Sequence, residues 1–251
     1  MGIKNTDLSI AELKQTIRTL QFGPLSLVGQ ALRGSNSTFL TDVGDPVSPI
    51  QAIYKPSKGE RPLWDFPDFT LAFREVAAFI VSTILRWELV PPTVLRTKDA
   101  IYGTGSLQLF VPHDPTIHFL NSPGISQEVL MKVVLFDILI NNADRKAGHV
   151  IFDSNQKPWL IDHGLCFNQE FKYRSVIWDF AGSPIPDEFT LEIKQFIQKL
   201  KRKNNRLIRK LNVLLSDKEV KSMINRANRL VKDGIFPNPE PNRRSYPWPP
   251  I

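Results

Sequence analysis

The sequence predicts an α+β protein of two lobes, a small antiparallel sheet that holds one helix followed by a mainly helical lobe. Short strand-like runs, separated by turn residues, fill most of residues 1–111 and enclose one long helical pattern. From residue 187 onward, apolar residues instead recur at helical spacing. We therefore assign residues 1–111 to the first lobe, 112–235 to the second lobe and 236–251 to a proline-rich tail.

The first lobe is predicted to begin with an amphipathic helix over residues 7–20, where apolar residues recur at helical spacing. Three strand-like runs follow, in the segments PLSLVGQA, STFLTDV and PIQAIYKP. The turn-prone segment 34–37 joins the first two, which predicts a hairpin and then a third strand. Residues 56–69 are rich in turn residues and are expected to form a loop.

A second helix is predicted over residues 69–87, where apolar residues again follow helical spacing. Two further strands are predicted in PPTVLR and AIYGTGSLQLFVP. Residues 125–141 are strongly apolar and predict a buried helix. A polar segment, NNADRKAGH, separates that helix from two short strands, HVIFD and PWLID.

The last third of the chain is predicted to contain three helices, over 187–201, 203–215 and 217–233. The tail has six prolines in its last fifteen residues and is not expected to form regular structure.

Composition limits the compartment and the kind of partner. The net charge of +7 predicts an anionic partner without identifying it. The single cysteine, Cys166, excludes an internal disulfide and a cysteine metal cluster, which favours a reducing cytoplasm. No run approaches the roughly 18 apolar residues of a membrane helix, and the N-terminus lacks the apolar core of a secretory signal.

Asp144 and Asp162 are the residues around which a chemical site is predicted. Asp144 lies in the polar loop directly after the apolar helix, and Asp162 ends the strand PWLI. Gly164 follows two positions later, where a glycine is expected to let the backbone turn sharply. Two aspartates placed this way suit a magnesium–phosphate site, with one orienting the nucleophile and the other holding the metal.

Phosphoryl transfer also needs a cation on the phosphates, because negative charge spreads over their oxygens. Lys55 ends the strand IQAIYK and is expected to point along the cleft between the lobes. A lysine held there needs an acidic partner, and Glu75 lies twenty residues later in the following helix. The ordered set of four residues is far more specific than any one of them.

The segments IYKP, REVAAF, PPT, GSLQLFVP, NNADRKAGHVIFD and LIDHGLCF together resemble the atypical kinases related to phosphatidylinositol 3- and 4-kinases. The type II phosphatidylinositol 4-kinases and a bacterial branch of the same superfamily are most similar. The resemblance spans residues 27 to about 185 and implies a two-lobed protein-kinase-like fold, with ATP and Mg²⁺ or Mn²⁺ bound between the lobes.

The resemblance also implies a role for each matched residue. Lys55 would be the phosphate-binding lysine and Glu75 its ion-pair partner. Asp144 would be the catalytic-loop aspartate, Asp162 the metal aspartate, and Arg145 would fix the shape of the catalytic loop. His163 stands where kinases commonly carry phenylalanine.

Two further segments would contact the nucleotide. The hinge is expected near 108–112, with the adenine contacted by backbone groups in a segment made up of Gln108, Leu109, Phe110 and Val111. The short polar loop that contains Ser35 and Asn36 would cover the phosphates in place of a glycine-rich loop.

His149 departs from the pattern of the resembling kinases, which carry asparagine as a metal ligand five residues after the catalytic aspartate. Imidazole is a softer ligand than an amide oxygen, and magnesium prefers oxygen. Three interpretations stay open: His149 ligates the metal directly, ligates it through water, or marks weakened catalysis. The last favours an alternative function, a nucleotide-binding pseudokinase with a scaffold or regulatory role.

The acceptor of the phosphate cannot be identified from the sequence, and protein, metabolite and lipid acceptors all remain open. The aromatic segment 167–180, with Lys172 and Arg174, is expected either to cradle a substrate or membrane or to pack the core. Residues 194–210 carry eight Lys or Arg and no acidic residue, which predicts either an anionic-surface contact or a solvated helix face.

A nucleic-acid-binding module is favoured only by the net positive charge and by the basic run at 194–210. The chain is therefore expected in the cytoplasm, with peripheral membrane contact through 194–210 as one option. His113 and His118 are expected at the surface.

Overall fold

The structure, a computed structural model, describes residues 9–30, 37–122, 124–202 and 204–251. The first lobe contains a five-stranded antiparallel sheet, made of β1 (Leu25–Gln30), β2 (Phe39–Val43), β3 (Ile50–Pro56), β4 (Thr93–Arg96) and β5 (Gly105–Leu109). The strand order is β1-β2-β3-β5-β4, so β3 and β5 are central. The predicted hairpin is present as the β1–β2 pair, and its connecting residues lie outside the described part of the chain.

Alternation along the strands explains why this sheet has one buried face. In β2 every second residue is buried, as a half-buried strand requires. Helix α1 (Ile10–Phe22) lies near β4 and β5, and its Leu20 joins the buried apolar cluster of the sheet. The helix begins with a capping box, in which Ser9 and Glu12 each satisfy the other's backbone N–H.

Helix α2 (Leu71–Leu85) lies between β3 and β4 in chain order. In the folded protein it packs between the two lobes. It contacts β4 and β5 of the sheet, and it also contacts three helices of the second lobe. Its N-terminus is capped by Glu60, whose carboxylate accepts hydrogen bonds from the N–H groups of Leu71 and Ala72. Burial on nearly all sides holds this helix in one position between the lobes.

The second lobe is mainly helical, as predicted. Its helices are α3 (Gln127–Ile140), α4 (Asp187–Leu200), α5 (Arg206–Leu214) and α6 (Asp217–Asp233). Two short antiparallel strands, β6 (Val150–Phe152) and β7 (Pro158–Leu160), follow α3. Ser126 caps the start of α3, and Asn141 ends it in the left-handed conformation that asparagine tolerates.

The basic segment 194–210 is not one amphipathic helix. Helix α4 ends at Leu200 and α5 begins at Arg206, so the segment spans two helices and the turn between them. Its apolar residues Phe196, Leu200 and Ile208 are buried in the core of the second lobe. The cations lie outward, with Lys194, Lys201, Arg202, Arg206 and Arg209 all exposed.

The proline-rich tail contains neither helix nor strand, as predicted, but it packs against the second lobe. The Ser245 carbonyl accepts a hydrogen bond from the Ser175 N–H, and the Pro250 carbonyl accepts one from the Ala147 N–H. Across the described residues, no helix combines the length and the apolar character needed to cross a bilayer.

Candidate active site

A cleft of about 410 Å³ lies between the sheet of the first lobe and the loops that follow α3 and β7. That volume lies within the range of small-ligand pockets. The four side chains singled out by the sequence, Lys55, Glu75, Asp144 and Asp162, all line this cleft. Two segments of the first lobe and two of the second therefore meet at one site.

Lys55 is held at the centre of the site by two carboxylates. Its Nζ atom lies 2.6 Å from Oε1 of Glu75 and 3.1 Å from Oδ1 of Asp162. Glu75 is only 3% exposed, and its Oε2 accepts a 3.0 Å hydrogen bond from the N–H of His163. Helix α2, β3 and the loop after β7 are thus connected through one glutamate.

The charges of these groups are stabilised by one another. Burial alone lowers the pKa of Lys55, but Asp162 and Glu75 more than offset it, so the pKa lies above its ordinary value. The positive charge of Lys55 holds the pKa of Asp162 well below its usual range, although burial acts in the opposite direction. Lys55 is therefore a cation and Asp162 an anion at neutral pH.

The backbone turns at Gly164 and Leu165, in agreement with the turn expected at that glycine, and the left-handed residue of the loop after β7 is Asp162. Asp162 has φ of 61°, in the left-handed region, whereas Gly164 is not among the glycines with positive φ. A Cβ at Gly164 would lie 3.4 Å from the Cβ of Leu71, which is an ordinary van der Waals contact. The loop therefore lies directly against the start of α2, the helix that carries Glu75.

Asp144 is placed by its own loop. Its N–H donates a 3.0 Å hydrogen bond to Oδ1 of Asn142, and its Oδ2 lies 3.7 Å from Nζ of Lys146. Burial raises the pKa of Asp144 to about 6, and the negative charge of Asp162 acts in the same direction while Lys146 opposes it. A carboxylate with a pKa just below neutral is well suited to accept a proton.

His149 lies beside Asp162 and is not among the residues that line the cleft. Its Nδ1 lies 2.9 Å from the carbonyl oxygen of Asp144, and since a carbonyl only accepts, Nδ1 carries the proton. Burial lowers the pKa of His149 to about 4, so the ring is neutral and Nε2 carries a lone pair. That Nε2 lies 3.3 Å from Oδ2 of Asp162. Nε2 of His149 and Oδ2 of Asp162 each carry a lone pair, so the two atoms are suited to coordinate one cation between them.

Arg145 lies beneath the cleft and not in it. Its guanidinium is fully buried and makes a bidentate ion pair with Asp137, at 2.7 Å and 2.9 Å. It also donates to the carbonyls of His149 and Ile161, which lie next to the loops that carry Asp144 and Asp162. Arg145 therefore holds both loops from beneath and is not among the residues that line the cleft.

The same guanidinium fixes the ring of His163. Nη2 of Arg145 lies 2.9 Å from Nε2 of His163, and since arginine only donates, that nitrogen is the acceptor. Burial and the positive charge of Arg145 keep the pKa of His163 well below its ordinary value. The ring packs edge-on against Phe136 with centroids 5.8 Å apart, so a neutral imidazole occupies an aromatic position in the core.

The predicted hinge segment lines the cleft with Gln108, Leu109, Phe110 and Val111. The Gln108 side chain donates to Thr93, which holds it in the sheet. The N–H groups of Leu109 and Phe110 donate to backbone carbonyls at Pro92 and Gln51. Among the N–H groups of Leu109, Phe110 and Val111, which are expected to face adenine, that of Val111 has no backbone partner in the described part of the chain.

The predicted phosphate-covering residues Ser35 and Asn36 lie outside the described residues. The next two residues, Ser37 and Thr38, line the cleft. The prediction for Ser35 and Asn36 therefore stays a prediction.

Three residues near the site were not recognised from the sequence. Asp137 carried a signal, since it is the one charge in the apolar stretch VVLFDILI, where a carboxylate is expected to have a buried partner. His113, expected at the surface, lines the cleft and bonds to the Val111 carbonyl at 2.7 Å. Glu60, which caps α2 and lines the cleft, lies in a turn-rich loop with no local pattern to mark it.

The side chains near the cleft provide part of the coordination that a divalent cation needs. The described residues contain no cluster of three or more His, Cys, Asp or Glu side chains arranged to hold a metal. Asp162 and His149 supply one carboxylate and one imidazole lone pair, which fits a cation that completes its coordination with phosphate oxygens and water. The imidazole suits manganese better than magnesium.

Comparison with known proteins identifies a full-length relative. Protein Rv2133c of Mycobacterium tuberculosis is 35% identical over 263 aligned residues, which cover 90% of this chain and 92% of that protein. Phosphatidylinositol 4-kinase gamma 4 of Oryza sativa subsp. japonica is 28% identical over 47% of this chain, and its namesake in Arabidopsis thaliana is 24% identical over 65%. The aligned part is only 24% and 33% of these plant proteins. No family model matches the chain.

Solved structures confirm the two-lobed protein-kinase-like fold. Hydra Fam20, solved with a sugar, superposes with a TM-score of 0.58 over 93% of this chain and 91% of that chain. The Golgi casein kinase with Mn/ADP bound superposes with a TM-score of 0.54 over 97% of this chain and 81% of that chain. Both are 15% identical, so the likeness concerns the fold.

Proposed function

This chain belongs to the family of the mycobacterial protein Rv2133c, and we propose that it is an ATP-dependent phosphotransferase that transfers the γ-phosphate of ATP to an acceptor hydroxyl. The kinase-like fold supports this class of reaction. The observation that carries the proposal is the connected set of Lys55, Glu75 and Asp162, which faces Asp144 across the same cleft.

Each of these side chains has a task that its geometry supports. Lys55, held by Glu75, would bind the phosphates of ATP through its positive charge. Asp162 and His149 would hold Mg²⁺ or Mn²⁺, which neutralises negative charge on the phosphates when it is bound. The Val111 N–H would contact adenine, with Gln108 to Phe110 forming the adjoining wall of the cleft.

Asp144 would take the proton of the acceptor hydroxyl. The acceptor oxygen forms a bond to the γ-phosphorus while the bond from that phosphorus to the bridging oxygen of ADP breaks. The proton moves to the carboxylate of Asp144, whose pKa of about 6 leaves it mostly ionised at neutral pH. Arg145 would hold the loop that presents this carboxylate.

We propose that this chain is a member of the superfamily of phosphatidylinositol 3- and 4-kinases. The plant relatives named phosphatidylinositol 4-kinase support this assignment, although they align over only part of their length. The acceptor class stays open among protein, metabolite and lipid. A cytoplasmic location, with the exposed cations of 194–210 against an anionic surface, fits the same proposal.

His149 favours a second candidate, a nucleotide-binding pseudokinase that acts as a scaffold or regulator. The position replaces the asparagine of the resembling kinases, and a poor ligand for magnesium would slow transfer. Asp144 in the cleft supports an active enzyme instead, because a carboxylate that accepts the proton of the acceptor is needed for transfer and not for nucleotide binding.

We expect His149→Asn to change the metal preference of the site. An amide oxygen is a harder ligand than imidazole, so the ratio of Mn²⁺ to Mg²⁺ affinity should fall by at least about tenfold, the scale on which altered metal surroundings change affinity. The measurement is Mn²⁺ binding in the presence of ADP by electron paramagnetic resonance, with competition by Mg²⁺.

His113→Asn is the matched control, because it makes the same change in a cleft histidine that has no carboxylate partner among the described side chains. Its metal preference should equal that of the wild type. An unchanged Mn²⁺ to Mg²⁺ ratio in His149→Asn would contradict a metal-binding role. Failure of the wild type to bind Mn²⁺ or Mg²⁺ with ADP would contradict the phosphotransferase proposal itself.

A further inference from the structure

His163 carries a buried hydrogen-bond donor that the proposed function does not use. The residue follows Asp162 in the loop after β7, and its side chain is fully buried. The guanidinium of Arg145 donates to its Nε2, so the proton of the neutral ring is on Nδ1. That Nδ1–H group has no hydrogen-bond partner among the described residues. A buried donor without an acceptor costs free energy, which points to a role for it in this site.

A carboxylate oxygen of Glu75 lies just beyond hydrogen-bond reach of this donor. Oε2 of Glu75 is 4.0 Å from Nδ1 of His163. The same oxygen already accepts a 3.0 Å hydrogen bond from the backbone N–H of His163. Because a carboxylate oxygen accepts more than one hydrogen bond, a shift of about 1 Å would bring the second donor of the same residue onto it.

The ring of His163 is held in a fixed orientation toward Glu75. Nη2 of Arg145 lies 2.9 Å from Nε2 of the ring, and Arg145 is itself paired with Asp137 at 2.7 Å. On its other side the ring packs edge-on against Phe136. A phenylalanine at this position would keep the aromatic packing but would offer neither nitrogen, so the two nitrogens are what distinguishes the histidine.

Glu75 shares its principal partner, Lys55, with other anions. Oε1 of Glu75 lies 2.6 Å from Nζ of Lys55, which is also 3.1 Å from Oδ1 of Asp162. Under the proposed function the same ammonium group binds the phosphates of ATP. Phosphates that draw Lys55 toward them therefore weaken its pair with Glu75. Since Glu75 is 3% exposed, solvent offers its carboxylate little compensation.

We propose that His163 is a positioning residue that donates its Nδ1–H to Glu75 when Lys55 binds the phosphates of the nucleotide. This hydrogen bond stabilises the buried carboxylate while Lys55 gives up part of its contact with it. His163 is not among the residues that line the cleft, so it acts on the nucleotide through Glu75 and Lys55. The inference rests on the proposed phosphotransferase function, which assigns the phosphates to Lys55.

Two amide side chains separate the roles of the two ring nitrogens. The amide of asparagine extends about as far as Nδ1, and the amide of glutamine extends about as far as Nε2. His163→Gln therefore keeps an acceptor for Arg145 and loses the donor to Glu75. His163→Asn keeps the donor to Glu75 and loses the acceptor for Arg145.

The test measures the affinities of the full chain for ADP and for adenosine, with Mg²⁺ present, by isothermal titration calorimetry. Adenosine has no phosphate, so its affinity reports an intact cleft and should be unchanged in both variants. The ratio of ADP affinity to adenosine affinity should fall by about tenfold or more in His163→Gln, as expected when a hydrogen bond to a charged group is lost. In His163→Asn this ratio should stay near the wild-type value, and the melting temperature should fall instead.

His118→Gln and His118→Asn are the matched controls, because they make the same changes in a histidine that does not line the cleft. Both should keep the wild-type ratio of ADP affinity to adenosine affinity. An unchanged ratio in His163→Gln would overturn the proposal, and so would an equal fall of the ratio in His163→Gln and His163→Asn.

A measurement on the wild type decides the matter if a variant does not fold. The Nδ1–H proton of His163 is followed by nuclear magnetic resonance of the histidine rings, where few signals compete because the chain has four histidines. Its signal should move downfield when ADP binds and should not move with adenosine. A signal that ADP leaves in place would contradict the hydrogen bond to Glu75.

Formation of ADP from ATP separates this inference from the proposed function. A wild type that forms ADP, together with an unchanged affinity ratio in His163→Gln, would contradict the role of His163 alone. A wild type that forms no ADP, in which the ratio still depends on the Nδ1 donor, would support that role and contradict the phosphotransferase function.

Discussion

Asp162→Asn is expected to lower the rate of phosphoryl transfer by roughly 10²–10³-fold or more, the scale on which a preorganised charge contributes to catalysis. The carboxylate of Asp162 contacts Lys55 and faces His149, so both the proposed phosphate contact and the proposed metal contact depend on it. The amide of asparagine keeps the shape and loses the charge. Binding of metal with ADP should weaken together with turnover.

The fold should survive this substitution. Asp162 is half-exposed and has φ of 61°, a conformation that asparagine tolerates about as well as aspartate. The ion pair of Lys55 with Glu75, at 2.6 Å, does not involve this carboxylate and should persist. Asp187→Asn makes the same chemical change on the exposed first turn of α4 and should retain full activity. Wild-type turnover in Asp162→Asn would contradict the role given to this carboxylate.

Asp137→Asn is expected to destabilise the protein by about 3–5 kcal/mol, because it leaves the guanidinium of Arg145 buried without a counter-charge. The amide fills the same volume, so the loss comes from charge and not from a cavity. The melting temperature should fall by roughly 2–4 °C for each kcal/mol lost, for a domain of this size. Thermal unfolding followed by circular dichroism measures the effect.

Glu128→Gln is the matched control on the same helix. Glu128 pairs with Lys132 at 2.6 Å, but its side chain is 62% exposed and solvent screens the pair, so losing it should leave the melting temperature nearly unchanged. Equal destabilisation by the two substitutions would contradict the importance assigned to the buried pair. Since Arg145 also bonds to the carbonyls of His149 and Ile161, Asp137→Asn should additionally reduce metal affinity.

The sequence predicted the elements of the fold because each carries a strong local pattern. The alternating burial of β2 and the apolar continuity of α3 are both visible as residue spacing. The four central side chains were also predicted, since their order along the chain matches the resembling kinases. Spacing could not show the distances between them, because Lys55 and Asp162 are 107 residues apart in sequence.

Contacts between distant segments were the part that the sequence could not supply. Arg74 of α2 donates to the carbonyl of Cys166 and pairs with Glu219 of α6, 145 residues later in the chain. That buried contact holds the helix that carries Glu75 against the second lobe. Nothing local distinguishes Arg74 from an exposed arginine, so its role emerges only once the helices are packed.

Backbone conformation was only partly predictable. The glycine near the functional loop predicted a turn, and the backbone does turn at Gly164 and Leu165, but the left-handed residue of that loop is Asp162. The break within 194–210 was predicted between helices over 187–201 and 203–215, whereas α4 ends at Leu200 and α5 begins only at Arg206. Patterns of side chains show that the backbone changes direction, but they do not fix the residues at which it does so.

The most direct test is ADP formation from ATP by the wild type and by Asp144→Asn, with Mn²⁺ or Mg²⁺ present. We predict measurable ADP formation by the wild type, a loss of about 10²–10⁴-fold in Asp144→Asn, and nearly unchanged ATP affinity, because Asp144 acts on the acceptor proton. A wild type that binds ATP with metal and forms no ADP and no phosphorylated product would contradict the phosphotransferase function. Equal activity of the two proteins would contradict the role of Asp144.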